Sequence, residues 1–196
     1  MMKNLEDQIV EKYNLDAETT HEFLQHFRLV RIDKHMHIVE KDVFNDNFYL
    51  IKAGILRAYI PDADGDKTLW FGYPGQAITD VWCYHYGAVS PISIEAVTQC
   101  ELLYIAKEDL ESLCVGSHGI CNMVRKIFIG HAAETEESFT NLFQCEGGME
   151  RYLSILKCHP ELLQHVPLKK LASYIHLAPQ SLSRIRSQLV NKSNEF

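Results

Sequence analysis

The chain has 196 residues, 46% of them apolar, and a formal net charge of −7. That length suits one large domain or two small ones, and that apolar content is ample for a packed core. No apolar leader and no run of membrane-spanning length occurs, which predicts a cytoplasmic protein without membrane contact.

The six cysteines, Cys83, Cys100, Cys114, Cys121, Cys145 and Cys158, form no CxxC pair. They indicate neither a zinc site nor a disulfide framework, and buried reduced thiols are expected. Residues 1–27 read as helical. Leu5, Ile9 and Tyr13 make one apolar stripe, and Phe23, Leu24 and Phe27 another. Asn14-Leu15-Asp16 is the expected break, with Asp16 as helix cap.

From about Arg28 to Ala106 the period changes to two. The stretches 29–32, 36–40, 48–60, 68–73 and 92–105 are rich in β-branched and aromatic residues and read as strands. Turn signals at Asp46-Asn47, Ala53-Gly54, 62–66 and Pro74-Gly75 separate them. Many short strands of this kind predict an antiparallel barrel or jelly roll, in an α+β chain. Trp70, Phe71, Tyr73, Trp82, Tyr84 and Tyr86 cluster within it, and core packing is the favoured role for them.

Lys107 to Leu113 reads as a short helix. Residues 117–143 form a long periodic stretch without Pro, in which Gly130 is the one weak interior residue. Ile120, Val124, Ile127 and His131 make one seam. Phe128, Ala132, Thr135, Phe139 and Leu142 make another. Two seams imply two contacts, the chain's own barrel and a second copy. The Ile120–Val124–Ile127 seam is assigned to an isologous dimer. Glu146-Gly147-Gly148 is the expected hinge, dividing residues 1–146 from a second domain at 149–196.

Charge divides at the same place. Residues 149–196 hold seven Lys/Arg and three Asp/Glu, a net +4, whereas residues 1–148 hold twelve and twenty-three, a net −11. In the basic part, Leu168, Leu171, Ala172 and Ile175 recur at helical spacing, as do Leu182, Ile185 and Leu189. Pro167 and Pro179 suit first helical positions. Two short helices joined by His176-Leu177-Ala178 must cross steeply, and that is a helix-turn-helix. On the second helix Gln180, Ser183, Arg184 and Ser187 face out, with Ser181 and Arg186 on the flanks. Arg takes the two acceptors of guanine, and Gln pairs bidentately with adenine. Lys169 and Lys170 on the first helix suit phosphate.

The segment LASYIHLAPQSLSRIRSQL resembles the helix-turn-helix of the Crp/Fnr transcription regulators, relatives of the cAMP receptor protein. Gln180, Ser181 and Arg184 fall at positions that family uses to touch DNA. One departure is His176, where the family usually has Gly. The segment FYLIKAGILRAYIPDADGDKTLWFGYPGQ resembles the family's cyclic-nucleotide-binding domain. The resemblance implies a homodimer joined by the helix at about 117–143, with double-stranded DNA and RNA polymerase as partners. It also implies a small-molecule effector, with no metal and no catalytic residue.

The ligand cassette departs most. Members that bind cAMP carry Gly-Glu and then Arg-Ser-Ala, whose Arg pairs with the phosphate. Here those positions read Thr79-Asp80 and Ser90-Pro91-Ile92-Ser93, and no Arg occurs between Ala58 and Val124. A cyclic phosphate buried without a cation is strongly disfavoured. The expected pocket residues are Thr79, Asp80, Val81, Ile92, Ser93 and, as the only route to a cation, Arg125. The rival reading is a metal-dependent cupin-type or ligand-binding barrel. It rests on His35 and His37 sharing a strand face.

Overall fold

A computed structural model of the chain describes residues 4–63 and 65–193. Helices α1 (Leu5–Tyr13) and α2 (Ala17–Leu24) open the chain. Asn14 ends α1 in the left-handed conformation at φ 49°, and Asp16 caps α2 by accepting from the Thr19 amide. The expected break and cap are both present.

Eight strands follow: β1 (Arg28–Ile32), β2 (His37–Val39), β3 (Phe48–Ala53), β4 (Leu56–Ile60), β5 (Lys67–Gly72), β6 (Ala77–Thr79), β7 (Ser93–Ala96) and β8 (Cys100–Ile105). They form two four-stranded sheets, ordered β1-β8-β3-β6 and β2-β7-β4-β5. The β1–β8, β2–β7, β3–β6 and β3–β8 ladders are antiparallel. In the first sheet Glu101 of β8 receives both Arg31 and Lys52, each at 3.0 Å. Strand β6 is absent from the sequence reading. Its three residues are too few to display a period, and only pairing with β3 defines it. His35 lies in the turn before β2 at φ 73°, while His37 is on β2 opposite Glu95. The two histidines therefore do not share a strand face, and the geometric basis of the cupin reading is lost.

Helices α3 (Lys107–Gly116), α4 (His118–Gln144), α5 (Gly148–Cys158), α6 (Pro160–His165), α7 (Leu168–Tyr174) and α8 (Pro179–Ser193) complete the chain. The core of the strand region joins Ile9 and Tyr13 of α1, Phe23 of α2, Phe48 and Leu50 of β3, and Ile120, Met123, Val124 and Ile127 of α4. This corrects the assignment of the Ile120–Val124–Ile127 seam. Those residues are 2%, 7% and 0% exposed against the chain's own core, and offer nothing to a second copy. The large apolar residues left outside on α4 are Ile129, Phe139 and Phe143, at 56%, 40% and 80%.

Gly130 also has a definite role. A Cβ there would come within 2.7 Å of the Tyr13 ring, so its absence lets α1 lie against α4. Lys12 bonds Glu134 at 2.7 Å, and Lys126 donates to the Asn14 carbonyl at 2.7 Å. Contacts cluster into two compact units. One holds residues 1–58 and 71–134, the other residues 59–70 and 135–196. This grouping passes from one unit to the other within α4, and it places the tip of the β4–β5 hairpin in the unit of the C-terminal helices.

Candidate nucleic-acid interface and ligand cassette

Helix α7 starts at Leu168, with Pro167 one position earlier as its cap residue, and α8 starts at Pro179 as the fixed φ of Pro favours. Between them His176 takes φ 55°, the left-handed turn for which Gly is the usual choice. His is among the few other side chains that tolerate it. The turn is closed by Leu177 donating to the Ala172 carbonyl at 2.9 Å. Arg151 of α5 donates Nη1 to the Ile175 carbonyl at 3.0 Å, fastening the turn from behind. Sequence reading missed that role because nothing local marks a residue 24 positions away. Leu171, Ala172, Ile175 and Leu182 are buried, so the apolar faces meet as their spacing predicts. Leu168, Ile185 and Leu189 are half-buried.

Gln180, Ser181, Ser183, Arg184, Arg186 and Ser187 are all exposed on α8. Ser187 turns its hydroxyl onto the Ser183 carbonyl at 3.1 Å. The exposed stretch carries two guanidiniums, two amides counting Gln188, and three hydroxyls, with no carboxylate. It offers donors and positive charge to an anionic, acceptor-rich surface. On α7 Lys169 is exposed and Lys170 half-buried, and Ser173 binds the β4–β5 hairpin tip.

The cassette between β6 and β7 is built differently. Its centre is a π-helical turn, Trp82–Tyr86. Asp80, 2% exposed, turns Oδ1 to accept from the Trp82 and Cys83 amides at 2.9 and 3.2 Å. Thr79 donates to the Asn47 carbonyl at 3.2 Å, and Ser93 Oγ accepts from the Lys41 amide at 3.0 Å. Ser90 closes its own turn onto Ile92. Thr79, Ser90, Ser93 and Asp80 Oδ1 thus hold the chain itself, while Asp80 Oδ2 is buried without a hydrogen bond among the described residues. Val81 is 54% exposed. Arg125 is exposed and bonds Asn122 at 2.6 Å, so the expected route from α4 to a pocket cation does not exist here. Its neighbours on α4 meet the core, and its own position one residue on turns it outward.

A buried cation is present elsewhere. Arg57 of β4 is 1% exposed and pairs with Glu95 of β7 at 2.8 Å. Between the strands and α4, Phe48, Ile78, Ile127, Phe128 and His131 close up until no water-sized molecule fits. Tyr84 stacks beside Phe128 at 5.6 Å, and Lys107 donates to the Tyr84 carbonyl at 2.5 Å. The aromatic cluster is only partly core. Trp82 and Tyr86 are 51% and 66% exposed and lie against each other at 5.3 Å, because the π-helical turn lifts them off the barrel.

Residues 29–117 match the family profile of the cyclic nucleotide-binding domain. The strand region is similar to cyclic nucleotide-binding domains. A search of curated protein sequences finds no match. Solved structures share the fold of nearly the whole chain. FixK2 from Bradyrhizobium japonicum is 18% identical with TM-score 0.69, covering 85% of this chain and 86% of its own. The c-di-GMP-responsive global regulator CLP from Xanthomonas campestris is 18% identical with TM-score 0.69, covering 91% and 93%. A Crp/Fnr-family transcriptional regulator from Eubacterium rectale is 16% identical with TM-score 0.68, covering 91% and 85%. The chain therefore shares the fold of these structures: two antiparallel sheets like those of a cyclic nucleotide-binding domain, followed along the chain by a long helix and further helices. No helix among the described residues is long and apolar enough to cross a membrane.

Proposed function

We propose that this chain is a homodimeric, sequence-specific DNA-binding transcription regulator of the Crp/Fnr type, without enzymatic activity. The observation that carries the reading is the exposed, carboxylate-free face of α8 on a closed helix-turn-helix. Arg184 and Gln180 read base edges; Ser181, Ser183, Arg186 and Ser187 bind alongside them; Lys169 and Lys170 of α7 meet phosphates. The DNA-reading part is residues 149–196 and the sensor part residues 1–146. Two copies join through the outward side of α4, at Ile129, Phe139 and Phe143. Partners are double-stranded DNA, the second copy and, at promoters, RNA polymerase.

The sensor part takes a small effector other than cAMP, or none. Its cassette hydroxyls and Asp80 Oδ1 are engaged by the chain, and its buried guanidinium, Arg57, already has a carboxylate. The test is selection of bound sequences from random duplex DNA, with and without cell extract. A selected near-palindrome supports the reading, and extract-dependent selection reports an effector. Failure to enrich any sequence in either condition, with folded dimeric protein, refutes it.

A further inference from the structure

The second compact unit contains an element the proposed function does not use, the tip of the β4–β5 hairpin, residues 59–70. It is bound to the first helix of the helix-turn-helix. Ser173 of α7 donates its hydroxyl to the Asp66 carbonyl at 2.7 Å and accepts from the Thr68 amide at 2.9 Å. Thr68, 3% exposed, donates its own hydroxyl to the Lys170 carbonyl at 3.3 Å. The turn of the hairpin comes still closer to the basic side chains. Its Gly65, at φ 123°, lies against Lys169. A Cβ there would stand 3.7 Å from Lys169 Cε and 3.9 Å from its Nζ.

The sequence of this turn, Pro61-Asp62-Ala63-Asp64-Gly65-Asp66-Lys67, holds three carboxylates against one ammonium. Lys67 is bonded to Asp62. An anionic loop is thus fastened, through neutral hydroxyl and amide bonds, onto the helix whose lysines are placed to meet phosphate. Charge and position both make the loop a rival of the DNA backbone for that surface.

We propose that the β4–β5 turn is an autoinhibitory strap. It covers the Lys169–Lys170 side of α7 and competes with DNA phosphates for it. The strap rests on the DNA-binding reading above, which assigns phosphate to these lysines. Its release raises DNA affinity without any change in the face of α8. The hairpin leads directly from β4, which carries buried Arg57, so the strap and the barrel interior share one strand.

The test compares duplex binding, at several salt concentrations, by the parent, an Asp62→Asn/Asp66→Asn variant and a Thr68→Val variant. Neutralising the turn is expected to tighten binding about three- to tenfold at low salt, with the gain shrinking as salt rises. Thr68→Val, which loosens the strap without altering charge, is expected to tighten binding in the same direction. Two controls separate the strap from a general charge effect. Glu18→Gln/Glu22→Gln removes the same charge from α2 and should leave affinity unchanged. In a Lys169→Gln/Lys170→Gln background the turn variants should give no gain. Equal affinity of parent and turn variants overturns the strap while leaving the DNA reading intact. So does a gain matched by the α2 control, or one that survives loss of the lysines. If neither parent nor variants bind any duplex, both readings fall. Binding by the variants alone supports the strap in its strongest form.

Discussion

Arg184 stands exposed on α8 without an ion pair among the described residues, which leaves its guanidinium available for a base edge. Arg184→Ala should weaken specific binding by about 1–3 kcal/mol and relax preference at one base position. Unchanged affinity for the selected operator in a titration would remove it from the reading face. Arg57 is the opposite case. It is a buried charge whose carboxylate partner, Glu95, is itself nearly inaccessible. Glu95→Ala removes the carboxylate that neutralises the buried guanidinium, and should cost about 3–5 kcal/mol in denaturant unfolding. His131 gives a pH signature. Burial holds its imidazole below the usual range, against the pull of Glu134 and with the push of Lys12. The folded state therefore favours the neutral ring, and protons bind the unfolded chain more readily. Stability is complete above the unfolded value near 6.5 and falls as pH drops below it. A melting-temperature profile from pH 7.5 to 5.5 should decline, and His131→Gln should flatten part of that decline. Parallel profiles would show that His131 does not contribute.

Helix α4 serves two purposes along its length. Its inner positions complete the core, and Gly130 admits Tyr13 of α1. Gly130→Ala raises intrinsic helix propensity by about 1 kcal/mol, yet it drives a methyl to 2.7 Å from the Tyr13 ring. The clash should win, with a net loss of about 1–3 kcal/mol measured by chemical denaturation. A stabilised variant would mean that Tyr13 moves aside freely. In the proposed dimer the outer positions carry the contact between copies. Ile129→Asp should give monomers that melt like the parent, whereas Ile127→Asp, placed in the core, should unfold the protein. A parent that sediments as a monomer at micromolar concentration removes the dimer from the scheme.

For the whole molecule, the consequential question is what the barrel takes. Binding cAMP needs a cation at the cyclic phosphate and an acceptor at the ribose hydroxyl. Asp80 Oδ2 is buried without a hydrogen bond among the described residues and could serve as the acceptor. No cation is at hand, however: Arg125 points to solvent, and Arg57 is held by Glu95. Calorimetry with millimolar cAMP or cGMP should register no binding heat, and neither nucleotide should change DNA affinity. A micromolar dissociation constant that vanishes in Arg57→Met would show that Glu95 yields Arg57 to the phosphate.

Features that repeat locally are legible in the residues themselves. The period of two over residues 28–106 and the apolar spacing over residues 166–189 are set by the pleat and the helical turn. The caps and turns at Asp16, His176 and Pro179 follow from their own side chains. Those features placed the helix-turn-helix and its outward face residue by residue. The tertiary structure decided everything that depends on a distant partner. Both seams of α4 are apolar, so periodicity does not say which one meets the barrel. Strand β6 exists only through its pairing with β3. Gly130 looks like a weak helix residue until Tyr13 is set beside it. The β4–β5 turn reads as an ordinary acidic loop, and only its hydrogen bonds to Ser173 and Lys170, more than a hundred positions away, make it a strap. Spacing along a chain encodes which face a side chain takes, while long-range packing alone selects what that face meets.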